Sequence, residues 1–243
     1  MKAKIKLLLH RLIGFERFLY WFSLFKIFTL KSDRKEKDLF LFLSKIKAKH
    51  DGVLLDIGAN IGVTSTIMAK NTVVPIHAFE PLPLNIRILK KVLKRMKLED
   101  RIILHETALG NYHGTCEMVL PIVENVSMHG LSHVVDPSIT EFNTGEKTAQ
   151  IPIDKLDNIF PSQKIAGIKL DVENFEHEVL KGAEQLLRAQ HPIIYTELWD
   201  NENRQLCFSF LRGLGYTSFY NEKGKLKAFE ANECVGQTFL FVQ

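Results

Sequence analysis

The stretch VLLDIGANIGVTS, residues 53–65, decides the fold. Its first five residues are apolar except for Asp56, and Gly58 and Gly62 follow before a run of helical character begins. A strand apolar on both faces belongs inside a parallel sheet that is covered on both sides. Glycines in the turn beyond it let the backbone approach a ligand, and the helix start presents N–H groups without intrahelical partners.

Outward from this point, apolar runs and helical patterns alternate, the signature of an α/β domain. Strands are expected at 53–57, 74–79, 102–107, 165–171, 192–197, 217–221 and 238–242, and helices at 62–70, 83–97, 175–189 and 203–214, with a short one at 39–47. Residues 110–161, rich in Gly, Asn, Ser and His, read as an insertion: a hairpin beginning with a strand at 115–120, then a loop over the cleft. The last two strands, joined by NEKGKLKAFEANECVGQ, read as an antiparallel hairpin at one sheet edge.

With 243 residues, 46% of them hydrophobic, the chain is long enough for one large core. The expected organisation is an N-terminal helical segment, 1–50, and a main domain, 51–243, carrying the insertion. A net charge of +4 is spread along the chain, so no nucleic-acid partner is indicated. Cys116, Cys207 and Cys234 lack a C-x-x-C spacing, which argues against a zinc or redox site and fits a reducing cytoplasm.

Residues 1–30 are basic and then rich in Leu and Phe, but His10, Arg11, Glu16 and Arg17 interrupt the run and no small-residue cleavage site follows. Residues 18–30 contain Lys26 and fall short of the ~20 apolar residues that cross a bilayer. Ile5, Leu8, Leu9, Leu12, Phe15 and Leu19 recur at helical spacing, which predicts amphipathic helix packed on the domain. The alternative is peripheral membrane contact through Phe, Trp21 and Lys side chains. Oligomeric state is not legible in the chain.

The ligand of the glycine turn is a question of charge and spacing. A dinucleotide fingerprint needs glycine where this chain has Asn60 and Val63, and Asp56 would repel a pyrophosphate. A carboxylate there suits a ligand bearing an ammonium and a sulfonium, as S-adenosylmethionine does. The second strand ends in HAFEPLP, placing Glu80, 24 residues beyond Asp56, where it can accept hydrogen bonds from ribose hydroxyls.

The blocks LLDIGANIG, HAFEPLPLNIRILKKVL, HETALGNYHG, IPIDKLDNI, IAGIKLDVENFEHEVLKGAEQLL and PIIYTEL stand in the order of the FkbM-like family of class I S-adenosylmethionine-dependent methyltransferases, which the chain resembles from residue 53 to 242. The resemblance implies a Rossmann-like, seven-stranded, mostly parallel sheet with helices on both faces. It implies O-methylation, often of sugar hydroxyls, and assigns Asp56, Gly58, Ala59, Asn60 and Glu80 to the cofactor, with Pro81 and Leu82 beside the adenine and Ala108 across from them. One departure stands out: the family usually has glycine where this chain has Asn174, a residue that tolerates left-handed backbone angles.

In open parallel sheets the cleft lies beyond the carboxyl ends of the strands, which brings Asp171, Glu173 and Glu197 near the reaction. Asp171 is the first candidate for the base or acceptor-orienting group and Glu173 the second; the alternative for Glu173 or Glu176 is to cap the next helix. Lys169, inside the same apolar strand, needs a carboxylate partner. His129 and His133 lie in the insertion and are lesser candidates. No metal site is expected, because two carboxylates such as Asp171 and Glu197 do not define one by spacing. The readings weighed are thus a methyltransferase acting on a sugar, glycan or small hydroxylated acceptor, a nucleotide-dependent oxidoreductase, and a non-catalytic cofactor- or partner-binding domain.

Overall fold

The computed structural model describes residues 13–30, 37–47, 51–120, 147–222, 225–229 and 236–243, with short strands at 122–123, 126–127 and 133–134. Residues 1–12, His129 and Cys234 lie outside the described residues.

Two helices come first, α1 (Phe15–Thr29) and α2 (Lys37–Lys47), followed by β1 (Val53–Ile57), α3 (Val63–Asn71), β2 (Ile76–Phe79), α4 (Pro83–Met96) and β3 (Ile102–His105). Gly62, at φ 82°, caps α3, and Pro83 opens α4 at a position where its missing N–H costs nothing. After β4 (Ala108–Leu109) the insertion supplies β5 (Gly114–Leu120), β6 (Ile122–Val123), β7 (Val126–Ser127), β8 (His133–Val134), β9 (Lys147–Asp154) and α5 (Leu156–Ile159). The chain then returns through β10 (Ile165–Leu170), α6 (Glu176–Lys181), α7 (Glu184–Gln190), β11 (Ile193–Glu197), α8 (Glu202–Gly213), β12 (Thr217–Glu222), β13 (Lys225–Ala228) and β14 (Thr238–Val242).

The main sheet has eight strands in the order β13-β12-β14-β11-β10-β1-β2-β3. From β11 to β3 all pairings are parallel, whereas β14 runs antiparallel to both neighbours and β13 antiparallel to β12. The expected antiparallel pairing of the last two strands near one sheet edge is present, and one further strand extends it. The strand at 238–242 inserts between β11 and β12, and the linker itself contributes β13, the actual edge. That edge strand is short, polar and lysine-bearing, which blunts pairing with other chains.

Side chains alternate across β1: Val53, Leu55 and Ile57 enter one apolar cluster with α6, α7 and α8, while Leu54 enters the other with α1 to α4. Residues 37–47, grouped in the sequence reading with the N-terminal segment, are part of this second core. Leu39, Phe42, Leu43 and Ile46 are all buried, and Phe42 stacks on Tyr195. A Cβ on Gly167 would come within 2.6 Å of Ile46, so α2 is seated where β10 has no side chain.

The single helix expected at 175–189 is broken in two. Gly182 lies so close to Gly110 that a Cβ there would be 1.9 Å from the Gly110 carbonyl oxygen, and its own carbonyl accepts from the Asp157 N–H. Asp157 then accepts from the N–H groups of Gln185 and Leu186, satisfying the free start of α7. Among the described residues, β5, β8 and β9 of the insertion join β4 in a four-stranded sheet, β4-β9-β5-β8; the expected loop over the cleft falls largely outside the described residues.

Candidate active site

The parallel strands end together beneath one pocket of about 300 Å³, within the range of small-molecule sites. Gly58, Ala59, Asn60, Glu80, Pro81, Leu82, Ala108, Asp171 and Glu173 all line it, so nine residues scattered over the sequence meet in one place. Asp56 does not line it. Glu197 ends β11 exposed and is also absent from the lining, although its charge reaches Glu173. His133 lies on β8.

Asp56 is fully buried, and its carboxylate is engaged within the protein. It is the register partner of Lys169 on the neighbouring parallel strand, so both side chains leave the same face of the sheet. One carboxylate oxygen accepts from Ser65 Oγ and the other lies 3.4 Å from Lys169 Nζ, an ion-pair separation. Lys169 also lies 3.5 Å from Asp171 and donates to the Gly58 carbonyl at 3.0 Å. Burial alone would push this ammonium down, but Asp171 and Asp56 outweigh it and hold it above the ordinary lysine range. The ammonium that Asp56 faces in this structure is that of Lys169.

Glu80 is likewise engaged. It accepts from the N–H of Asn60 at 2.8 Å, the N–H of Leu82 at 3.0 Å and the Asn85 amide at 3.1 Å, locking the turn after β1 to the start of α4. Burial pushes its carboxyl up, against these hydrogen bonds and Lys169. The amides of Gly58 and Ala59 both donate to the Phe79 carbonyl, so this turn offers shape to the pocket, and Val63 and Thr64 at the first turn of α3 complete its rim. Gly58 itself, at φ 79°, is the only residue type that fits: a Cβ would stand 1.9 Å from the Asp171 carbonyl oxygen.

Asn85 was not singled out by the sequence. It lines the pocket, is buried, and its Oδ1 has no hydrogen-bond donor within the described residues. Its place five residues after Glu80, on the first turn of α4, was the available signal. Phe22 and Lys26 of α1, Leu30 just beyond its end, and Met118 and Val134 of the insertion also contribute walls that no motif announced.

At the catalytic end Glu173 and Asn174 adopt successive left-handed conformations, φ 55° and 72°. The turn therefore survives without the family's usual glycine, and Asn174 is fixed there by accepting from the Asn201 amide at 2.7 Å. Glu173 is pushed up to about 8 by burial first, then by the charges of Asp171, Glu176 and Glu197. Glu176, pushed up to about 7 chiefly by burial, does structural work: it accepts from the Val172 N–H at 2.9 Å and from the Asn203 amide at 2.6 Å. Among the described residues no group of three or more His, Cys, Asp or Glu side chains is arranged to hold a metal.

A Rossmann-like sheet with a glycine turn and carboxylates at its strand ends is the class I methyltransferase arrangement, and residues 56–218 match the methyltransferase FkbM domain. The chain belongs to the FkbM methyltransferase family. That membership sets aside the oxidoreductase reading. No curated protein sequence matches the chain. Its structure is similar to that of the methyltransferase FkbM from Methylobacillus flagellatus KT, with TM-score 0.54 and 17% identity over 80% of this chain, which spans 44% of that protein's length. It is also similar to a putative rRNA methylase from Clostridium thermocellum, with TM-score 0.51, 10% identity, and 84% and 93% of the two chains covered. At these identities the likeness concerns the fold.

Proposed function

We propose that the protein transfers a methyl group from S-adenosylmethionine to a hydroxyl of a sugar, glycan or related small metabolite. The observation that carries this reading is the pocket itself, whose one lining brings together the glycine turn, Glu80, Asp171 and Glu173. The residues present suit such a donor. The buried Asn85 Oδ1 needs an N–H or O–H to accept from, Gly58 allows close approach of backbone, and Pro81, Leu82 and Ala108 supply apolar walls fit for an adenine. Gly58, Ala59, Asn60, Glu80 and Asn85 would hold the nucleoside.

The cofactor supplies an electrophilic methyl group. The chain's part is alignment and proton transfer. Asp171, fixed by Lys169 and open to the pocket, orients the acceptor hydroxyl. Glu173, with its carboxyl near 8, is matched to take the hydroxyl proton close to neutral pH. Phe175, Met118 and Val134 exclude water from the same space.

Calorimetric titration with S-adenosylhomocysteine and with NADH tests the donor, and labelled methyl transfer to extracted glycans, lipids and small metabolites tests the acceptor. Binding of S-adenosylhomocysteine but not NADH is expected, as is a D171A variant that keeps this affinity and loses transfer. Binding of NADH alone rejects the donor. Undiminished transfer by D171A rejects Asp171, and donor binding with no transfer to any acceptor class leaves a non-catalytic binding domain.

A further inference from the structure

Helix α1 is amphipathic in an unusual sense, because both of its faces are apolar. Phe18, Leu24 and Ile27 are buried against the domain, and Ser23 Oγ donates to the Ile61 carbonyl at 3.0 Å, so the inner face is seated. On the outer face Trp21, Phe25 and Phe28 are 61%, 63% and 73% exposed. Their spacing of four and three residues puts all three on one stripe. Large aromatic side chains exposed together mark an interaction surface.

What covers this stripe is decided by the charge around it. Lys70 Nζ lies 5.6 Å above the Phe28 ring, and Arg95 shares a groove with Trp21, Phe25 and Phe28. Helix α4, against which α1 packs, exposes Arg87, Lys90, Lys91, Lys94 and Arg95; Glu16 pairs with Arg87 and Lys91 and Glu106 with Lys90, while Lys94 and Arg95 lie toward the end of α4 with no acidic residue on that helix. An isologous dimer through this face would bring these cations against one another. The fifteen-residue helix is roughly 22 Å long, and among the described residues no helix is long and apolar enough to cross a membrane.

We infer that this face docks on the surface of an anionic phospholipid bilayer, with Trp21, Phe25 and Phe28 in the interfacial layer and Lys70 and Arg95 against the headgroups. Aromatic rings favour that layer, and cations beside it are drawn to an anionic surface. The inference is independent of the chemistry in the pocket.

The test is co-sedimentation of the full chain with vesicles of phosphatidylcholine alone and of phosphatidylcholine with a quarter phosphatidylglycerol. Binding to the anionic vesicles is expected to weaken with salt and to fall by roughly tenfold or more in W21S/F25S/F28S. The K70E/R95E variant is expected to lose the preference for anionic lipid. Thermal melting and S-adenosylhomocysteine titration, unchanged in both variants, would establish that the fold is intact. Absence of binding to either vesicle, or binding that neither variant alters, overturns the inference. So does a dimer in light scattering that the triple variant dissolves, which would make a second copy the occupant.

Discussion

Replacing Lys169 by Met tests the central electrostatic claim, because this side chain is 6% exposed and its strand partner Asp56 is wholly buried. Met matches the length and apolar stem of Lys but leaves Asp56 with only Ser65 as a polar partner. Breaking a buried ion pair from one side costs about 3–5 kcal/mol, since a charge remains without compensation. Asp171 adds little to that cost, its side chain being 41% exposed and able to turn to water. For a chain of this size each kcal/mol lowers Tm by about 2–4 °C, so K169M should melt roughly 6–20 °C below the parent. D56N alone should cost less, because Lys169 keeps Asp171 and the Gly58 carbonyl. The double variant K169M/D56N should recover stability relative to K169M, with a coupling of about 1–3 kcal/mol. Urea and thermal unfolding of the four proteins at pH 7 give the cycle. A K169M protein within about 1 kcal/mol of the parent, or strictly additive effects, would refute the account of Asp56 as a residue held by Lys169.

The pH profile of methyl transfer should rise through about 8 as Glu173 loses its proton and becomes able to accept one, and E173Q should lower the rate by roughly 10²–10⁴ and remove that limb; an E173Q enzyme with the parent's profile would show that another group takes the proton. G58A should abolish S-adenosylhomocysteine binding and lower Tm, since the added methyl meets the Asp171 carbonyl at a positive φ. G213A, where nothing lies within 4 Å, should melt like the parent. Equal behaviour of these two variants in melting and titration would contradict the close approach of the two turns.

The strand–turn–helix at 53–65 was legible because three signals agreed: an apolar strand, glycines at the turn and helical spacing afterwards. The convergence of Glu80, Asp171 and Glu173 on that turn followed from the rule for strand ends in parallel sheets. The orientation of Asp56 was not legible. It depends on register with a strand more than a hundred residues away, which no local pattern encodes. The break at Gly182 was hidden for the same kind of reason, since its cause is the backbone of Gly110. Strand β13 escaped because its alternation, Lys225-Leu226-Lys227-Ala228, spans only four residues and ends in a small side chain, too short a run to stand out from a linker. The exposed aromatic stripe of α1 was foreshadowed by composition, but which side of the helix the domain would claim required the contacts with α3 and α4.

The near-touching main chains at Gly58 and Asp171 have a mechanical meaning. The turn assigned to the donor and the turn assigned to the acceptor are pressed together without a side chain between them, and Lys169 ties the carbonyl of one to the carboxylate of the other. Neither can shift far alone. The spacing of the two turns is thereby set by main-chain contact rather than by adjustable side chains, so a disturbance at either turn moves both together and leaves their separation nearly constant.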